Sequence, residues 1–216
     1  MNFILARSSE PVPVVAACLA KVMEAALRPV PADFPDDELM RALDDPDVVL
    51  GVVGNDDGVW KVLRRCSIPL VVVPPRTAGE YGLGRVLVPL DGTEEAAHAV
   101  SATVRLLGAG GVEIVVLHVF DRTTVPAHWD QAAHARDAWE SEFVARFCNP
   151  YFPGLRQTMT LRSGVAGDTI VDVAAEQADM IVLGVSRQLL PGHAESVRTA
   201  VAAASVPVMV VPIGDR

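Results

Sequence analysis

Cys66-Ser67-Ile68-Pro69-Leu70-Val71-Val72-Val73-Pro74 returns near the end of the chain as Ala204-Ser205-Val206-Pro207-Val208-Met209-Val210-Val211-Pro212, with Pro69 and Pro207 138 residues apart. In each copy a helix-like segment meets an X-Pro, four apolar residues follow, and a second Pro closes the run. The first Pro forces its predecessor out of the helical region. The second removes a ladder donor and ends the strand. A helix leading into a buried strand is therefore written twice, and an internal repeat of this kind sets the architecture.

Working outward, the second half reads as strands at 85–90, 112–119, 156–161, 180–184 and 207–212. Helices are predicted from Thr93 to Leu107 and at about 127–147, 167–177 and 192–204. Thr93 caps its helix, with Glu94 and Glu95 favourably placed in the first turn. Gly108-Ala109-Gly110-Gly111 stops it. Strands alternating with helices of this length mean a parallel, doubly wound sheet. The first half is a shorter version, with strands at 3–6, 48–51 and 70–73 and helices at 12–27, 36–43 and 61–66. Asp47-Val48-Val49-Leu50-Gly51 matches Met180-Ile181-Val182-Leu183-Gly184 at an offset of 133, and the two strands and helix of 112–161 have no counterpart. The first strand is then expected to lack its usual neighbour, leaving an edge that a loop or second chain must cover. The fold class is α/β with two doubly wound, Rossmann-like parallel-sheet units, the first truncated: 1–76, a linker at 77–84, and 85–216.

Composition agrees. Half of the 216 residues are hydrophobic and only 5% aromatic, and mean hydropathy is +0.32. This is core material of the Val/Leu/Ala kind that buried parallel strands use. A net charge of −9 argues against nucleic acid or an anionic membrane as partner, since both call for a basic surface. Cys18, Cys66 and Cys148 are odd in number and widely spaced, as reduced thiols of a cytoplasmic protein are. The opening residues lack a signal-peptide pattern, and no apolar run reaches membrane-spanning length. His128 and His134 do not share a helix face, so no metal site is implied.

Over residues 84–212 the chain resembles the universal stress protein family. Four stretches carry the resemblance: Val86-Leu87-Val88-Pro89-Leu90-Asp91-Gly92-Thr93-Glu94, Leu117-His118-Val119, Ala178-Asp179-Met180-Ile181-Val182-Leu183-Gly184, and the closing Val206 to Pro212. The first half resembles a degenerate copy, as in the family's tandem members. In the family's dimers the last strands of two units lie antiparallel; the resemblance implies that strands 70–73 and 208–211 pair so within one chain, covering what would otherwise be bare apolar edges.

The family's ATP binders carry an Asp after strand one and a G-x-x-G-x9-G-[ST] segment after strand four. The resemblance therefore implies a degenerate nucleotide site of Pro89, Asp91, Val119, Gly184, Arg187, Gly192, Glu195 and Ser196. Asp91 and Gly184 are kept, but Arg187 stands where the second Gly belongs, and the Gly-[ST] pair falls on Ala194-Glu195 or Glu195-Ser196. Two lost backbone contacts to a charged group, at roughly 1.5–3 kcal/mol each, weaken binding by about 10²–10⁴. Arg187 offsets part of this through two-pronged phosphate pairing, and Gly192 supplies backbone freedom. In the first half Gly51-Val52-Val53-Gly54 preserves the tetrad, but Ser8 aligns with Asp91 and the strand that would wall the adenine is missing.

Other readings fail on particular residues. Asp91-Gly92-Thr93 is not a phosphatase motif, because Pro89 occupies the nucleophile's place. Gly184-Val185-Ser186 lacks the second Gly of a nucleophile elbow. His118 reads as a packing residue, and Trp129 and Trp139 as core or interface anchors. The expectation is a non-catalytic stress-response or regulatory protein that acts through protein partners of unknown identity, forms a homodimer, and binds nucleotide weakly or not at all. The alternative is an ATP- or AMP-binding sensor with Arg187 replacing a glycine; no other cofactor is implied.

Overall fold

The computed structural model describes residues 1–77, 79–120, 133–186 and 193–213. All nine of its strands form one sheet. In chain order the strands are β1 Phe3–Arg7, β2 Ala26–Val30, β3 Val48–Gly54, β4 Leu70–Val73, β5 Arg85–Pro89, β6 Glu113–Phe120, β7 Gln157–Ser163, β8 Met180–Ser186 and β9 Val208–Ile213. The helices are α1 Val12–Val22, α2 Asp36–Leu43, α3 Val59–Arg65, α4 Glu94–Ala109, α5 Ala133–Phe143, α6 Ala166–Gln177 and α7 His193–Ala203. One wider turn, Val144–Cys148, prolongs α5.

The strand order is β2-β1-β3-β4-β9-β8-β5-β6-β7. Every pairing is parallel except β4 with β9. That pair joins Leu70 to Val210, Val71 to Met209 and Val72 to Val208. Under the 138-residue repeat the first and last of these contacts exchange, and Val71 and Met209 fall on the axis between them. The chain thus pairs its two last strands as a symmetric dimer would, and the apolar edges expected from sequence cover each other.

Helices cover both faces. α1, α4 and α5 pack over one core that includes Ile4, Leu50, Val71, Val88, Val116 and Met209. α2, α3, α6 and α7 pack over the other, with Leu5, Val72, Leu87, Leu117, Ile181 and Val208. Strand residues alternate between the two, as a two-sided core requires. Both cores run continuously through the β4–β9 junction.

The first half differs from the sequence reading in three respects. β2 was not expected: the predicted helix 12–27 ends at Val22, and Ala26-Leu27-Arg28-Pro29-Val30 forms a strand parallel to β1. Its composition hides it, because it carries a Pro and only one β-branched residue, which an edge strand tolerates. The first half therefore lacks one strand and one helix of the second, the counterparts of β7 and α5, and β1 keeps its neighbour. Second, the offset between β3 and β8 is 130, not 133. Ile4 faces Leu50 and Leu70 faces Gly51, while Val86 faces Met180 and Val208 faces Ile181. Gly54, not Gly51, is thus the counterpart of Gly184. Third, the same register makes Ser9, not Ser8, the counterpart of Asp91. The 133 alignment placed equivalent residues on opposite faces, which a period of two forbids.

Candidate functional site

The sheet reverses its winding between β5 and β8, and ligands of open α/β sheets bind beyond the strand ends at such a point. A cleft of about 1090 Å³ opens there, bounded by the ends of β5, β6 and β8 and the starts of α4, α6 and α7. Pro89, Asp91, Val119, Gly184, Glu195 and Ser196 all line it. Arg187 and Gly192, like Trp129 and His128, lie outside the described residues. Six of the eight residues that the resemblance implied thus lie around one cleft.

The first turn is built as the sequence implied. Asp91 Oδ1 accepts hydrogen bonds from the backbone N–H and the hydroxyl of Thr93, at 2.9 and 2.7 Å. Thr93 Oγ1 in turn accepts from Ala96 N–H at 3.2 Å and caps α4. Gly92 sits at φ +86°, a conformation only glycine adopts cheaply. Gly184 has a packing task of its own: a Cβ there would lie 3.4 Å from Ala99 Cβ and Val100 Cγ1 of α4. We expect Gly184→Val to force α4 off the sheet and lower stability by about 1–3 kcal/mol, as overpacking does; denaturant unfolding checks this.

Electrostatically the cleft is acidic. Among the described residues Asp91, Glu142, Asp168 and Glu195 line it against one cation, Arg146. Arg146 lies 3.9 Å from Glu94. Glu195 occupies the first turn of α7, so a carboxylate already takes the favourable end of that helix dipole. Among the described residues no three His, Cys, Asp or Glu side chains group as metal ligands.

Sequence reasoning gave His118 and Trp139 only packing roles, yet both line this cleft. His118 is 7% exposed and sits among Phe120, Trp139 and Phe143 at ring separations of 4.7, 4.9 and 4.9 Å. Its Nδ1 lies 2.8 Å from the Leu90 carbonyl. A carbonyl oxygen only accepts, so Nδ1 carries the proton. Burial holds the imidazole below its ordinary pKa, the Leu90 bond and Asp91 opposing it. The polar residue in Leu117-His118-Val119 was the available signal; the helix that surrounds it with rings could not be registered from sequence. Below the ordinary histidine value the unfolded chain takes up a proton that native His118 resists, so this residue costs stability as pH falls through that value. The melting temperature should drop between pH 7.5 and 5.5, and His118→Gln should make that drop smaller.

At the corresponding strand end of the first half stands a buried cation. Arg7, the counterpart of Pro89, is 7% exposed. It donates to Asp36 Oδ1 at 2.6 Å and to the Phe34 carbonyl at 2.9 Å, with Asp56 3.6 Å away. Gly54 is followed by Asn55-Asp56-Asp57, so no glycine tetrad stands at this strand end. The preserved tetrad of the sequence reading was a product of the 133 offset; Gly51 instead makes room for Leu43 and Leu70, whose methyl carbons lie 2.7 and 2.6 Å from where its Cβ would be.

Known proteins bear on the chain as follows. The model of the universal stress protein family matches residues 82–212. A functionally unknown protein of Pseudomonas aeruginosa PAO1 is similar in structure with a TM-score of 0.62 at 15% identity, over 98% of this chain and 82% of that one. A universal stress protein of Archaeoglobus fulgidus DSM 4304 gives 0.62 at 16% identity, over 99% and 88%. Both likenesses concern the fold and run through both halves. No curated protein matches the sequence.

Proposed function

The chain belongs to the universal stress protein family, and from that premise we propose that it is a non-catalytic stress-response or regulatory protein of the cytoplasm. In this reading it acts by associating with protein partners, itself included as a homodimer, and binds nucleotide weakly or not at all. Its units are 1–76 and 85–216, joined by 77–84. The observation that carries the nucleotide part is the charge of the cleft. Glu195 holds the α7 N-terminus, where a phosphate would otherwise gain the helix dipole, and three further carboxylates line the same space. A like charge beside a phosphate costs roughly 1–1.5 kcal/mol when partly exposed.

Calorimetry with ATP and AMP on the intact protein tests this, with Asp91→Ala as control. No heat at millimolar ligand is expected. Binding tighter than about 100 μM (about −5.5 kcal/mol) that vanishes in Asp91→Ala would overturn the reading in favour of an ATP or AMP sensor using Arg187. Glu195→Gln should raise AMP affinity about tenfold, the equivalent of the repulsion removed.

A further inference from the structure

We infer that the cleft between β5 and β8 takes a small organic ammonium ion bearing an aromatic ring, rather than a phosphate ester. This rests on the reading of the cleft as a ligand site poor in affinity for nucleotides, and adds the ligand class. Three observations meet there. The first is His118. With its proton on Nδ1, its Nε2 presents a lone pair, a hydrogen-bond acceptor on a residue that lines the cleft. A neutral imidazole nitrogen of this kind accepts from an N–H. A phosphate, itself only an acceptor when fully ionised, does not meet it.

The second is the wall. Trp139 stacks on Phe143 at 4.9 Å between ring centroids and 29° between planes, and Phe120 meets Trp139 edge-on at 4.6 Å. Trp139 is only partly buried and lines the cleft, so it offers a surface for stacking and for cation–π attraction. The third is the rim: Glu142, Asp168 and Glu195 are exposed carboxylates with no ion pair among the described residues. An aromatic wall with carboxylates around it attracts a cation and repels an anion.

The test is calorimetry with tryptamine and indole-3-acetate, which share a ring and its N–H but differ in charge, with AMP alongside. Tryptamine is expected to bind at least tenfold tighter than indole-3-acetate. In Glu142→Gln/Glu195→Gln, two surface changes that leave the core untouched, the gap should shrink at least threefold. His118→Phe, checked for folding by near-ultraviolet circular dichroism, should weaken tryptamine about tenfold. Equal affinities, an anion preference, or no heat from tryptamine would overturn the inference. If tryptamine and AMP are both silent, the proposed function stands and this inference falls. If AMP binds more tightly than tryptamine the inference falls, and if AMP also binds tighter than about 100 μM with loss in Asp91→Ala, both fall.

Discussion

A chain shortened to residues 77–216 is expected to form a dimer, whereas in the full chain the same edge is already paired. Removing the first half strips β4 from β9 and uncovers Val208, Met209, Val210 and Val211, all 6% exposed or less in the full chain. A bare apolar strand edge recruits another strand, and the nearest match is a second copy of β9. The symmetry of the existing pair specifies the register. Val71 and Met209 lie on the axis relating β4 to β9, so two copies of β9 should meet with Met209 opposite Met209 and Val208 opposite Val210. Sedimentation should show the shortened chain as a dimer at micromolar concentration. A monomeric, folded fragment would show that the β4–β9 pairing is not what keeps that edge covered. Met209→Lys in the fragment should return it to a monomer, because two ammonium groups would then face each other across the axis.

The second large effect is expected at Arg7. Its guanidinium, 8% exposed, spans Asp36, the Phe34 carbonyl and Asp56. Arg7→Met keeps the length of the side chain but leaves Asp36, 26% exposed, with only Lys61 at 3.9 Å. Removing one partner of a buried pair costs about 3–5 kcal/mol when both ions are fully buried; partial exposure of Asp36 reduces this to about 2–3. At 2–4 °C per kcal/mol for a protein of this size, the melting temperature should fall by about 5–10 °C. Arg7→Met/Asp36→Leu should recover most of the loss, since paired charges replaced together leave no orphan. A single variant as stable as the parent would show that the Arg7 pairing does not stabilise the fold.

Some residues of the cleft are legible in the sequence and others are not, for physical reasons. Pro89, Asp91, Gly184 and Glu195 could be found because they sit at strand ends and helix starts, where a motif in one dimension maps onto one place in space. His118 and Trp139 could not be joined, because they belong to β6 and α5 and meet only through the packing of that helix over the sheet. The fault at Gly51 is of the same kind. Two similar apolar strands align equally well at offsets of 130 and 133 in composition, but only the even offset keeps Leu50 and Val52 on the face that carries Met180 and Val182.

By itself the sequence determined the α/β class, the repeat, the Pro-bounded last strands and the turn at Asp91. Each of these follows from local chemistry: a fixed proline φ, a helix cap, a run of apolar residues. Only the tertiary structure decided that β2 exists, that Arg7 is buried against Asp36 and the Phe34 carbonyl at the first half's strand end, and that His118 stands among aromatic rings. Those features depend on register between strands and on which helix covers which face, and such contacts are made by residues far apart in the chain.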